Sequence, residues 1–372
     1  MGRFFDLVNK PVHELGAYAS GMPTAAKPHG NDPTTPLIKL NANESPYGPS
    51  PKAVAAMRAA LEHSHWYPDD LSAALRQKLA ELHDVRPDQI LVGNGTTSLL
   101  GIIARTLLGP GRNAVTSACS FISYPMVTKA VGATLIETPL RNNGYDLDAM
   151  RTSVNSDTRV VFIANPNNPT GTVIDADTID RFLEGMPEPV IVVLDEAYCD
   201  YAQHFAAMRS IRYSRSLDYV REDRNVIVLR TFSKAHGLAG VRVGYGIGPT
   251  ELIAYFARMQ DTFAVSSPAQ AAALAALDDE AHLGRAIQNN AEQAAWMTNE
   301  IAKLGYDVPD TWTNFLFLDV KQDAREFARK LRGEGVLVRP LGAWGAPHAI
   351  RVTIGTAEDN QFFLRALQAV AS

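Results

Sequence analysis

Disulfides, cysteine-built metal centres and membrane spans find little support in this sequence, because the residues they need are scarce. Only two cysteines, Cys119 and Cys199, occur in 372 residues. Two thiols make neither a disulfide framework nor a cysteine-rich metal site, and such sparse use points to a reducing, cytoplasmic setting. Long apolar runs are missing as well. Runs such as 190–194 are strand-sized and far short of the roughly 20 residues that a membrane helix needs. The first residues, MGRFFDLVNKP, hold no apolar stretch long enough for a signal peptide, and Asp6 stands where a myristoylation motif asks for Ser or Thr. An excess of positive charge is also lacking. Lys plus Arg number 35 against 40 Asp plus Glu, a net charge of −5, which argues against a nucleic-acid partner. A small anionic ligand needs only a few local arginines and stays open.

What is present is apolar and well mixed. Hydrophobic residues make up 46% and charged residues 20%, enough for a large core and too apolar for global disorder. The length suggests two domains or three. Residues 1–36 are rich in proline and glycine and read as a surface arm. Helices are expected over 52–62, after the Ser50-Pro51 cap, and over 71–83. From 90 to about 250, short apolar runs alternate with helical stretches. Strands are expected at 90–92, from 115, and at 134–137, 159–164, 190–194, 226–230 and 243–247. That alternation is the mark of an α/β fold with a mostly parallel sheet flanked by helices. Beyond Pro249 come helices over 249–260, 268–278, 282–304 and 323–334. Strands at 315–320, 336–339 and 350–354 suggest a smaller α+β domain. Thr356 and Asp359 resemble a capping box for the last helix. The expected division is 1–47 as arm and part of the small domain, 48–264 as the large domain and 265–372 as the small one.

Chemistry concentrates at strand ends. After the 226–229 run stands Thr231-Phe232-Ser233-Lys234, with Gly237, Gly240 and Arg242 following. A lysine there can form an imine with a carbonyl, and hydroxyls beside an arginine can hold a phosphate. Together they suggest pyridoxal phosphate (PLP); a surface lysine in a loop is the plain alternative. Gly93-Asn94-Gly95-Thr96-Thr97 lies between a strand and a helix, where backbone N–H groups bind phosphate, or simply turn tightly. Asn165-Pro166-Asn167-Asn168-Pro169-Thr170-Gly171 follows the 160–164 strand, and a fixed asparagine there can donate to a phenolate oxygen. Asp195-Glu196-Ala197-Tyr198 follows the 190–194 run. A carboxylate at a buried strand end needs a cation or donor, and a protonated pyridine nitrogen supplies one. Phe121 and Tyr124 offer flat rings for stacking, although aromatics at such places are commonly core.

The strings LNANESPYGPSP, NPNNPTG, VVLDEAY, RTFSKAHGLAGVRVGY and IRVTIG, in that order, resemble a fold-type-I PLP-dependent aminotransferase, more narrowly the histidinol-phosphate aminotransferase family. The resemblance runs from about Leu37 to the C-terminus. It implies a large PLP-binding domain, a smaller α+β domain and a homodimer with shared active sites. It implies that Lys234 forms the imine and then moves the proton. Asp195 pairs with the pyridine nitrogen, Asn168 and Tyr198 hold the ring hydroxyl, and Phe121 stacks on the ring. Gly95, Thr96, Thr97, Thr231, Ser233 and Arg242 hold the cofactor phosphate, with Tyr67 reaching across from the neighbouring subunit. Tyr18, Asn43, Arg339 and Arg351 face the substrate. No metal is implied.

The lysine must be partly neutral to attack, so its surroundings must disfavour its charge. The expected reaction moves an amino group between L-histidinol phosphate and 2-oxoglutarate, in histidine biosynthesis. Several positions depart from the family pattern. No arginine follows Asn314-Phe315, Ser266-Ser267 replaces an asparagine, His236 stands where an aromatic phenyl or phenol is usual, and Thr97-Ser98-Leu99 lacks an acid. They keep an aromatic or other amino-acid aminotransferase in view as the alternative. A decarboxylase of the same fold, or a ligand-binding protein without turnover, fits less of the pattern.

Overall fold

The computed structural model describes residues 5–13, 15 and 37–371, so Tyr18 and most of the expected arm lie outside the described residues. The strands in chain order are β1 (Ile38–Lys39), β2 (Ile90–Gly93), β3 (Asn113–Ser117), β4 (Thr134–Thr138), β5 (Leu140–Arg141), β6 (Gly144–Tyr145), β7 (Thr158–Ala164), β8 (Ile191–Asp195), β9 (Val226–Thr231), β10 (Gly244–Ile247), β11 (Phe315–Asp319), β12 (Val336–Leu337), β13 (Arg339–Pro340) and β14 (Ala349–Thr353). Seven of them form one sheet in the order β2-β10-β9-β8-β7-β3-β4. Only β10 runs antiparallel to its neighbours. The expected mostly parallel α/β sheet is therefore present.

The apolar runs explain this sheet. Val160, Val161, Phe162 and Ile163 of β7 are fully buried, on alternating faces, so helices must cover both sides. Each such side chain contributes roughly 1.5–3 kcal/mol relative to exposure. Side-chain caps hold the starts of several helices. Ser50 Oγ accepts from Ala53 N at 3.1 Å with Pro51 in the first turn, as the sequence suggested. Asp146 and Asp175 cap the helices Leu147–Ser153 and Ala176–Glu184 in the same way. The capping box at Thr356 and Asp359 also forms, with reciprocal bonds of 3.0 and 3.2 Å.

A second core surrounds the sheet β11-β14-β13. The run 336–339 does not form one strand. Its first half, β12, pairs in parallel with β1, while β13 pairs with β14, and Val338 lies between. The chain at 38–39 is thereby tied to the C-terminal part. The helix Ser267–Leu277 packs against Pro51–Leu61. Its Ala269, Ala272, Ala273 and Ala276 join the core of the large sheet through small side chains that allow close approach. Helices Cys199–Arg209 and Ser216–Arg221 and the hairpin β5–β6 have no counterpart in the sequence reading.

Candidate active site

The parallel strands β7, β8, β9 and β3 deliver their carboxyl ends to one rim of the sheet, where ligands of open α/β sheets sit. A cavity of about 290 Å³ opens there. Lys234, three residues beyond β9, lies in its wall. Its Nζ donates to Ala42 O at 3.3 Å and lies 5.7 Å from the centre of the Tyr198 ring. Burial brings the Lys234 ammonium down to about 7; Arg351 and Arg242 add to the fall, and Glu44 and Asp195 oppose it. The neutral amine demanded by imine chemistry is thus accessible near neutral pH.

Asp195 ends β8 and is 4% exposed. Oδ2 accepts from the Tyr124 hydroxyl at 3.1 Å, while Oδ1 has no hydrogen-bond partner among the described residues. Burial pushes the carboxyl up to about 6, against the pull of Tyr124 and of a backbone N–H. A buried carboxylate oxygen without a donor is costly unless a ligand supplies one. Tyr198, three residues on, accepts from Asn43 Nδ2 at 2.8 Å. Asn43 itself sits at a φ of 56°, held by Thr353 and Asn314.

Arg242, Ser233 and Gly95 come together at another wall. Arg242 Nη1 donates to Ala239 O at 2.9 Å and approaches Ser233 Oγ at 3.4 Å. Thr231 Oγ1 accepts from Ser233 N at 3.1 Å and so fixes the turn. Gly95 has a φ of 79° and precedes the helix Thr96–Leu107; a Cβ there would collide with the Arg242 guanidinium. Thr96 and Thr97 line the cavity at that helix start. Hydroxyls, helix N–H groups and an arginine converge as an anion requires.

At the mouth, Arg351 of β14 donates through Nη1 to Asn168 Oδ1 at 2.5 Å and through Nη2 to Asn41 O at 3.2 Å. Asn168 therefore has its carbonyl engaged and its amide NH₂ as the donor group. Arg339 Nε reaches Asn41 O at 3.3 Å. Both arginines line the cavity, as does Phe121.

Most of the residues singled out in the sequence thus gather around one cavity. Tyr67 does not: it is 81% exposed and stacks on Phe263 at 4.4 Å, on the surface of this subunit. Asn43 turns its amide to Tyr198 as well as lining the cavity. Tyr124, considered as a stacking ring, is fully buried and serves Asp195 instead. Glu44, Trp344 and the Ala42 carbonyl also belong to the site. Ala42 and Glu44 lie within the LNANESPYGPSP string without a role read from it, whereas Trp344 falls in no such string and arrives by long-range packing.

The residues fit PLP on three independent grounds: a lysine poised to lose its proton, an unpartnered acid oxygen and an anion cradle in which a Cβ has no room. The family model for aminotransferase class I and II matches residues 35–367. Among curated relatives, histidinol-phosphate aminotransferase of Moorella thermoacetica is 42% identical over 337 residues, covering 90% of this chain and 85% of that protein. Histidinol-phosphate aminotransferase 2 of Pseudomonas fluorescens is 42% identical over 371 residues, covering 99% and 98%. The solved histidinol-phosphate aminotransferase of Sinorhizobium meliloti, in complex with pyridoxal-5'-phosphate, superposes with a TM-score of 0.84 at 29% identity, covering 90% of this chain and 91% of that one. The chain belongs to the class I and II aminotransferases and, within them, to the histidinol-phosphate aminotransferase family. Members of that family are PLP-dependent transaminases, and PLP is the cofactor of the fold.

Proposed function

We propose that this chain binds PLP and transfers an amino group between L-histidinol phosphate and 2-oxoglutarate, a step of histidine biosynthesis. The observation that carries the reading is one cavity holding a lysine amine with its pKa near 7 and an unpartnered oxygen of Asp195. When bound, PLP supplies an aldehyde carbon for the amine and a ring that takes up the electron pair left when the Cα proton departs. Lys234 Nζ would take the Cα proton and give it back two atoms further along, which its lowered pKa permits at neutral pH. Asp195, with one oxygen left for a donor, would hold a proton on the ring nitrogen. Tyr198 and the Asn168 NH₂ donate to the ring hydroxyl, and Phe121 covers one ring face. Thr231, Ser233, Arg242 and the N–H groups following Gly95 hold the phosphate, leaving Thr96 and Thr97 to close the cradle.

The two arginines at the mouth account for a substrate with an anionic end. Arg351 and Arg339 stand together over the Asn41 carbonyl, and a phosphate or carboxylate can accept from both. Asn43 lies beside them. Tyr18, outside the described residues, is assigned to the substrate phosphate by family resemblance. We further assign a cytoplasmic homodimer in which the exposed Tyr67 serves the partner's cofactor phosphate. The large domain is extended to Leu277 on the packing of the helix Ser267–Leu277.

The purified holoenzyme, mixed with one amino donor at a time, tests the reaction. Histidinol phosphate should bleach the visible cofactor band and 2-oxoglutarate should restore it. Preference for phenylalanine or tyrosine by kcat/KM would replace the substrate, and no response to any donor would remove the reaction.

A further inference from the structure

The two oxygens of Asp195 have different fates, and one residue outside the cavity decides which is which. Tyr124 lies on the first turn of the helix Ser123–Ala130 and is fully buried. Its ring is stacked on Phe162 of β7 at 4.8 Å and 7°, and it meets the edge of Phe121 at 5.7 Å and 87°. So held, its hydroxyl reaches Asp195 Oδ2 at 3.1 Å, while Oδ1 has no hydrogen-bond partner among the described residues. We propose that Tyr124 is a positioning residue: it claims one oxygen of Asp195, fixes the carboxylate plane and leaves the other oxygen as the acceptor for the ring nitrogen of PLP. This rests on the PLP reading above.

Without that bond, Asp195 would be a buried carboxylate with fewer donors and freedom to turn about its last torsion. Its other charged and titratable neighbours do not replace the bond. Lys234 steadies the charge, Glu196 opposes it, and Tyr145 and Tyr198 feel it from the neighbouring elements. Among the influences holding the acid down against burial, Tyr124 is the largest. The same phenol also braces Phe121, so one fully buried side chain sets both the edge and the face of the ring site.

The test is equilibrium dialysis of PLP against the full chain between pH 5 and 9, with and without Tyr124→Phe. The variant removes one oxygen and almost no volume from the core. In the variant the acid side of the affinity profile should move up by about one pH unit, as expected for losing a hydrogen bond to a charged group. At pH 6 its Kd should rise roughly fivefold, and toward tenfold at pH 5. In an Asp195→Asn background the Tyr124→Phe substitution should add nothing, since it acts through that carboxylate. An unmoved acid limb with Kd within about twofold, or an equal loss in the Asp195→Asn background, overturns the inference. Should Tyr124→Phe not fold, 3-fluorotyrosine at position 124 keeps the bond and makes the donor more acidic. It should move the limb down, and no movement counts against the role. If the unsubstituted chain takes up no PLP, the functional reading itself falls; normal uptake with an unmoved limb removes only the role of Tyr124.

Discussion

Lys234 is useful because its surroundings make its charge expensive, and that leaves a trace in stability. Its amine titrates near 7 in the folded chain against 10.5 in the open one. Below pH 7 both states carry the proton and the folded state bears the full cost of burying it. Between 7 and 10.5 the unfolded chain binds more protons, so stability rises with pH. The cofactor-free protein should therefore gain about 2 kcal/mol between pH 7 and 9 relative to Lys234→Met, which has no charge to lose. Urea denaturation of both at the two pH values checks this; parallel profiles would mean a solvated amine. Gly95 makes a second demand at the same scale. A methyl there meets the Arg242 guanidinium and also requires a left-handed backbone. Gly95→Ala should raise the Kd for PLP at least tenfold, yet leave the binding of pyridoxal, which lacks the phosphate, nearly unchanged. Fluorescence titration with the two ligands separates the phosphate cradle from the rest of the site.

At the scale of elements, the ends of β8 and β9 must stay in register if Asp195 and Lys234 are to face one ring. Backbone pairing places Asp195 opposite Leu229, and a buried ion pair locks the next turn. Arg230 donates through Nε and Nη2 to Glu196 Oε2 at 3.0 and 2.8 Å, and Ser214 donates to Oε1 at 2.6 Å. Removing one partner of such a pair strands a buried charge. Arg230→Ala should cost about 3–5 kcal/mol by denaturation, while replacing both with apolar residues of similar volume should cost much less. The strands themselves were legible because runs such as 160–164 and 226–229 are apolar on both faces, and the strand-end strings carry polar residues that a core cannot absorb. Other elements were not legible. The 336–339 run is uniformly suited to a strand, yet its halves join different sheets because β1, some 300 residues earlier, captures the first half. The bonds from Asn43 to Tyr198 and from Arg351 to Asn168 likewise join segments far apart in the chain, and no local spacing encodes them. Tyr124 was visible as an aromatic near the ring site, but its hydroxyl acquires a task only once the end of β8 brings Asp195 within its reach.

At the scale of the whole molecule, the question is whether one subunit makes a complete site. Tyr67 is 81% exposed beside Phe263, with Trp66 and Leu71 also exposed nearby in sequence. A large aromatic of that exposure has little to stabilise it in a lone subunit. In a symmetric dimer, a patch meets its own copy, so a residue can leave one site and complete the other. Mixing two defective chains distinguishes this arrangement from a self-sufficient subunit. Lys234→Ala lacks the amine and Tyr67→Ala lacks the reaching phenol. In a mixed dimer with shared sites, one site collects both defects and the other collects neither. After unfolding and refolding an equal mixture, about half the dimers are mixed, and roughly a quarter of all sites are intact. Activity should then rise well above the mean of the two separate preparations, toward about a quarter of the unsubstituted enzyme, and should fall on dilution below the dimer's dissociation constant. If each subunit were complete in itself, the refolded mixture would show only the mean of the two parents, and Tyr67 would belong to the surface of its own chain.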